Sequence, residues 1–392
     1  MSAESSAAAD PAATGWSVEL LDAAEAIPGP VWDALAPADD PMWDRGVFTA
    51  MRRARIGPDA YAFLLVRDAG GQPVAMLPLS AVRGLRLDRV VGPAERKLLA
   101  PVARVLPGLV SVPMLFCGNF VGQGHVASGG RPLPAPVARL LVDGVMAYAR
   151  RHRLGTVVFK DFAPDGLAAL SPELERAGFF TVASLPDTEL PLPYEDFEAY
   201  LTALPAKARR NARSKLRKFQ AEAELRMEVL EPAGFLPLVP DIMRLYGQVM
   251  ERADQTLDVL DEAFVRALAE QEGTEQRLVA CFEGDQLVGY LHCLFRGDGA
   301  VGARIGLDYR LAHRARLYHN LHYAAIELAI SRGCRHIRFA QTAYEPKREL
   351  GCELVEQSYA LTHTGRLPRA VLRRLLPPAL EKARAEALAP RS

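Results

Sequence analysis

The chain has 392 residues, room for two or three domains at roughly 150 residues each. Its 49% hydrophobic and 24% charged residues supply enough apolar content for two cores and exclude a wholly disordered or fibrous chain. Lys+Arg and Asp+Glu are both 47, so no global basic field advertises nucleic acid, and five scattered cysteines (Cys117, Cys281, Cys293, Cys334, Cys352) without a CxxC pair fit a reducing cytosol better than a disulfide or zinc framework.

Residues 1–15 are Ala/Ser-rich and read as a disordered tail. Residues 1–44 hold nine acids and no Lys or Arg, unlike a secretory signal. Residues 61–80 read as strand, Gly turn and strand. The segment 81–110 is basic, with Leu98, Leu99, Val102 and Leu106 at helical spacing; it reads as a surface helix, or alternatively as a lid or membrane-surface helix. Residues 116–130 contain Gly122-Gln123-Gly124-His125, either a phosphate-cradling turn or an ordinary loop between strand and helix. Residues 137–162 read as an amphipathic helix, a stop at Gly155 and a buried strand. The Pro-rich, acidic stretch 186–197 reads as a linker. Seven cations and no acid occupy 206–219, with apolar residues at spacings of 3 and 4, so one helix with a strongly basic face is predicted.

The first pattern then recurs. Residues 277–295 repeat the hairpin at an offset of 214, and 320–342 repeat helix, Gly stop (Gly333) and strand at an offset of 178. The 36-residue difference places an insertion in the first half, around 81–110. Residues 366–392 form a third basic amphipathic stretch, which Pro377-Pro378 is predicted to split into two short helices that cap the second domain or rest on a membrane.

The run 326–351 carries a helix, a Gly stop, a strand and a turn of the form Tyr-Glu-x-Lys-Arg-x-x-Gly. Together with the basic helix 204–219 it resembles the GNAT superfamily, in its FemAB-like branch of tandem-domain acyltransferases and aminoacyl ligases. The resemblance implies an α/β (α+β) fold of two tandem GNAT-like domains, each a mixed, mostly antiparallel sheet flanked by helices. The domains would span 16–190, with the insertion 81–110, and 195–365, followed by the tail 366–392. It also implies an acyl donor between splayed strands, with its pyrophosphate at the start of the next helix. That place falls within 300–320. The usual Gly-rich pyrophosphate loop is absent, and Arg310, Arg314 and Arg316, with Asn320, stand there as donor-binding candidates.

The implied reaction is attack of an amine on a thioester or aminoacyl ester, which needs an oxyanion stabiliser and a route for the amine proton. Lys347 is the first candidate, as the Lys at the turn that contacts the acceptor in Fem ligases. It reads as lying in a polar turn, so that its loss would cost little stability. Arg348 beside it is a substrate-binding candidate. Tyr344 could protonate a leaving thiolate, Glu345 could accept an amine proton, and His319 could relay one. Arg209 and Arg213 of the basic helix are substrate-binding candidates for phosphates. His313, His319 and His322 have no carboxylate placed to complete a metal site, Cys117 has no cation or His to activate it, and no GxSxG elbow appears. The leading expectation is a cytoplasmic N-acyltransferase that takes an acyl group from acyl-CoA to a small or lipid-like amine, without a metal, and in peripheral contact with the inner face of the membrane. Two alternatives are a Fem-like ligase using aminoacyl-tRNA and a non-catalytic lipid- or nucleotide-binding module. Residues 199–229 offer one basic helix and no helical hairpin, which disfavours the ligase.

Overall fold

The computed structural model describes residues 15–86, 111–252 and 260–389. The tail expected over 1–15 and the insertion expected over 81–110 lie almost wholly outside them. In chain order the first half contains β1 (Ser17–Leu21), α1 (Gly29–Leu35), α2 (Arg45–Ala54), β2 (Ala60–Arg67), β3 (Pro73–Arg86), β4 (Ser111–Cys117), α3 (Ala135–Arg151), β5 (Thr156–Phe162), β6 (Phe180–Ala183) and β7 (Asp187–Pro191). The second half contains α4 (Phe197–Ala203), α5 (Ala206–Gln220), β8 (Leu225–Leu230), α6 (Val239–Met250), α7 (Glu262–Ala269), β9 (Glu275–Glu283), β10 (Gln286–Arg296), β11 (Gly299–Leu307), α8 (Leu317–Ser331), β12 (His336–Arg338), α9 (Tyr344–Glu349), β13 (Glu353–Val355), β14 (Ser358–His363) and α10 (Arg366–Leu388).

Two seven-stranded mixed sheets result, β1-β2-β3-β4-β5-β14-β6 and β13-β7-β12-β11-β10-β9-β8. The internal repeat is visible in both: hairpins β2–β3 and β9–β10 are antiparallel, and each is followed by one parallel pair, β4 with β5 and β11 with β12. The local signals differ between copies. Gly333 ends α8 with φ 71°, as its left-handed conformation allows. In the first copy Arg153, at φ 57°, takes that role. Gly155 is small for another reason: a Cβ there would meet the His363 ring of β14 at 2.7 Å.

The expected linker is not a linker. Residues 187–191 form β7, which pairs with β12 and β13 of the second sheet. Reciprocally, β14 from the end of the second half pairs with β5 and β6 of the first. The boundaries read from sequence, 16–190 and 195–365, therefore cut through an exchange of strands. The tail also departs from expectation. One helix runs through Pro377 and Pro378, with Leu372, Leu376 and Leu380 packed on the core.

Each sheet buries one face under its own helices. Leu64, Leu77, Leu115 and Phe159 pack with Leu141, Val142 and Val145 of α3. Val279, Leu291 and Cys293 pack with Leu317, Leu321 and Ile326 of α8. A third core is common to both halves: Trp32, Trp43 and Phe48 join Ile242 and Leu245 of α6 and Phe264 of α7. A small apolar cavity of about 30 Å³ between the halves, near Met42, Val121, Tyr290 and Ala303, has space for one or two water molecules, not a ligand. Because the halves exchange strands and share a core, we expect scanning calorimetry to show one unfolding transition. Two separate transitions, one per half, would show that the exchange does not couple them.

Candidate active site

In the second sheet β12 pairs with β11 only from Gly299 to Val301. Beyond that the strands part. Phe339 N–H donates to Thr188 O of β7 (3.0 Å), while β11 runs on to Leu307 with its other edge on β10. Gly302 sits at the parting because the Phe339 ring would lie 2.7 Å from any Cβ there. The open edge of β11 leads to Asp308, whose carboxylate accepts from Arg310 N–H, and then to α8. Arg316 is the N-cap of α8, in a left-handed conformation (φ 52°) and without a side-chain cap, so the first-turn amides of α8 carry the positive end of the helix dipole.

A polar cleft of about 420 Å³ opens beside this helix start, between α5, α8 and α9. Asn211, Ser214, Lys215 and Lys218 face it from α5, Arg316 and His319 from α8, and Glu345, Pro346 and Glu349 from α9. Ala208, Ala212, Leu216 and Phe219 pack α5 on the core, which turns the 211–214–215–218 face toward α8. Lys215 forms an ion pair with Glu349, and His319 Nε2 lies 3.0 Å from the same carboxylate. Burial pushes Glu349's carboxyl up, but the Lys215 ammonium more than reverses this, and the net shift is downward. Burial, aided by the Lys215 charge, pushes His319 down to about 4 despite Glu349. At neutral pH His319 is therefore a neutral ring hydrogen-bonded to Glu349 and too weak a base to hold an amine proton, which counts against the relay role.

Lys347 is not in a polar surface turn. It is 4% exposed, and its ammonium donates to the carbonyls of Ala340 (2.9 Å), Gln341 (3.1 Å) and Thr342 (2.8 Å). Those carbonyls belong to a strained loop in which Ala340, Thr342 and Ala343 all have positive φ, at 59°, 65° and 47°. Lys347 thus uses its three protons to clamp the loop that carries the chain away from β11. Burial pushes it down to about 8, with Asp187 opposing. Tyr344 is also committed to structure: its buried hydroxyl donates to Pro186 O (2.8 Å), and burial raises it to about 12.

The arginine candidates divide. Arg316 lines the cleft. Arg310 pairs with Asp308, and Arg314 with Glu222 and Glu283. Arg209 donates to Thr202 O and Leu204 O, and Arg213 pairs with Glu198. Asn320 is buried, and its amide donates to the carbonyls of Ala315 and Arg316, bracing the start of α8. Arg348 is exposed on α9. Sequence reasoning weighed the cations of 206–219, Lys215 and Lys218 among them, as a phosphate-binding run without separating the cleft face Asn211, Ser214, Lys215 and Lys218, and it missed Glu349. Those four lie at i, i+3, i+4 and i+7, a helical face that could have been read once α5 was placed.

In the first half the corresponding gap is filled. Gly124 N–H donates to Asp161 O (2.9 Å), forming a bridge to Phe162, and a Cβ at Gly124 would meet Lys160 O at 2.2 Å. Gln123 donates to Asp187 (2.7 Å). The Gly122–His125 turn is therefore packed into the junction between the halves.

The acetyltransferase (GNAT) domain family matches residues 206–348. That match falls on the part of the chain that holds the open strand edge and the cleft. Among solved structures, a tandem GNAT protein from the clavulanic acid biosynthesis pathway is similar at 14% identity and TM-score 0.50, over 89% of this chain and 99% of that one. FemX is similar at 9% identity and TM-score 0.54 over 87% and 96% of the two chains. L-PGS from Bacillus licheniformis is similar at 9% identity and TM-score 0.53 over 89% and 95%. At these identities the likeness is one of fold: two GNAT-like domains in tandem. No curated protein matches this sequence.

Two predictions follow from the geometry. Lys347→Met leaves three carbonyls of a strained loop unpaired, so it should cost about 3 kcal/mol or more in denaturant unfolding. A loss below about 1 kcal/mol would show that the clamp is dispensable. Burial also holds His292 and His319 at about 4 and His322 at about 3. Each binds a proton more weakly folded than unfolded, so stability is complete above their ordinary value of 6.5 and falls as pH drops toward 4. The melting temperature should therefore decline between pH 6.5 and 5, and less steeply in His292→Gln. Equal slopes would exclude His292 as a contributor.

Proposed function

We propose that the second domain carries the active site of an N-acyltransferase that takes its acyl group from an acyl thioester, acyl-CoA. The observation that carries this reading is the continuity of the open β11 edge with an uncapped helix start and a cationic cleft. In the proposed complex the pantetheine amides pair with the free edge of residues 302–307. The pyrophosphate meets the first-turn amides of α8, Arg316, Lys215 and Lys218, side chains doing what a Gly-rich loop does elsewhere. The amine attacks the thioester carbonyl carbon, the C–S bond breaks, and the thiolate leaves with a proton from solvent. Glu345, exposed at the rim of the cleft, accepts the amine proton through a chain of waters, since the pyrophosphate end of the donor occupies the same cleft. The acceptor on this reading is a small or lipid-like amine, approached past the exposed Arg348.

A second reading has its own support. Lys207, Arg210 and Arg217 are exposed on α5 beside the cleft, a surface suited to a polyanion, which favours an aminoacyl-tRNA donor as in a Fem-like ligase. Titration calorimetry with acetyl-CoA, a long-chain acyl-CoA and tRNA separates the two. We expect CoA binding that weakens roughly tenfold in Lys215→Gln/Lys218→Gln. Thiol release with an amine panel should fall on the order of a hundredfold or more in Glu345→Gln, with donor affinity kept. Tight tRNA binding without CoA binding would favour the ligase. CoA binding with no thiol release for any amine would favour a binding module.

A further inference from the structure

We propose that the outer face of α10 docks the protein on an anionic lipid surface. Among the described residues the large hydrophobic side chains left exposed are Leu20, Val229, Leu367, Val371 and Leu375, and the last three lie on α10. They are spaced i, i+4, i+8, so they form one row along the first half of the helix. Leu367 is 77% exposed and Leu375 63%, which no internal contact explains.

The opposite side of the helix accounts for its own apolar residues. Leu372, Leu376 and Leu380 pack on the shared core, Arg369 Nε donates to His363 O (3.0 Å), and Arg384 donates to Glu356. The helix is therefore fixed to the edge of the first sheet, through β14 and β6, and its outward row is not a product of fraying. Arg374 lies beside that row, and Arg366 and Arg373 lie on the far side of the helix, next to the packed leucines, all three exposed. The segment 366–380 contains these arginines and Arg369 and no acidic residue.

An apolar row with Arg374 beside it, on a segment that carries four arginines and no acid, matches a layer of acyl chains beneath anionic head groups. A second copy of the chain fits less well, because a helix pair closing on this row would bury the two Arg374 side chains near the seam with no acidic residue on the segment 366–380 to pair them. Insertion across the bilayer is also excluded for α10: none of the described helices is long and apolar enough to span one.

The surface is distinct from the cleft of the acyltransferase reading and does not depend on it. Flotation of the full-length protein with phosphatidylcholine vesicles, with and without phosphatidylglycerol, tests it. We expect binding to the anionic vesicles that weakens with salt and falls roughly tenfold or more in Leu367→Gln/Val371→Gln/Leu375→Gln and in Arg366→Gln/Arg373→Gln/Arg374→Gln. Calorimetric affinity for acyl-CoA should be unchanged in both variants. Absence of wild-type binding, or wild-type binding by the apolar triple variant, would overturn the proposal. So would a solution dimer that the apolar variant converts to monomer, since the row would then be a contact between copies.

Discussion

The exchange of β7 and β14 is the constraint on which the rest of the molecule depends. Each exchanged strand lies between two partners of the other half, so removing it leaves two rows of unpaired backbone groups rather than one. The two connecting segments cross between the halves side by side, from the pair Ala183–Ser358 to the pair Asp187–Val355, and between them Ser184 N–H donates to Gln357 O (2.9 Å). The chain leaving β12 must pass beside this crossing, because Phe339 pairs with β7 and Tyr344 reaches Pro186 just before it. The parting of β11 from β12 and the placement of α9 over the cleft are therefore set by where the halves interlock. The loop between them is strained for the same reason. It turns away from β11 within a few residues, and Lys347 holds it there.

The crossing is lined with polar groups where a purely apolar interface would have packed as well. Arg338 on β12 reaches Glu189 on β7 (2.8 Å) and Asp40 of the first half (3.5 Å), with His125 3.5 Å from Asp40 on the other side. Gln341 donates to Asp161, Leu185 O and Gln357, and so ties the strained loop to both halves. Burial pushes Asp187 up, and Lys347 and Arg338 are the cations that oppose it. Buried charge of this kind adds little net stability over an apolar alternative but is costly to break. Its effect here is to fix alignment. A one-residue slip of β7 would move Glu189 away from Arg338 and turn it to the other face of the sheet.

Much of this architecture was legible from periodicity. The hairpins at 61–80 and 277–295, the helix–strand units after them and the basic helix α5 all follow from local alternation or helical spacing, which depend on burial of one face. What was not legible was long-range. Residues 187–191 carry Pro, Asp and Glu and read as a linker, because their strand character comes from neighbours more than a hundred residues away in β12 and β13. Pro377 and Pro378 read as a break, yet the helix is held through them by packing at Leu372, Leu376 and Leu380. The candidate site was half legible for the same reason. The turn 344–351 was singled out from its residue types, but which of its side chains faces a cleft and which faces the interior depends on β7. Lys347 and Tyr344 point to structure, while Glu345 and Glu349 line the cleft.

The two copies of the fold have come to different uses of the same gap between parallel strands. In the first copy the chain after β4 loops out and rejoins the sheet in the same direction, so that Gly124 pairs beside Phe162, where Asp161 takes a left-handed conformation (φ 53°). Gly118 and Gly124 approach within 2.9 Å of where a Cβ would be, so this plug is a packed part of the junction. In the second copy β11 continues straight to Leu307 and turns at once at Asp308, leaving no segment to fill the gap. The first copy thus supplies the scaffold and a strand, and the second keeps the opening. On the acyltransferase reading this difference also explains the missing Gly-rich loop. A glycine loop binds phosphate by close backbone approach and needs the chain drawn tight against the ligand. Here Arg316, Lys215 and Lys218 reach in from two helices, and long cationic side chains do not need that closeness.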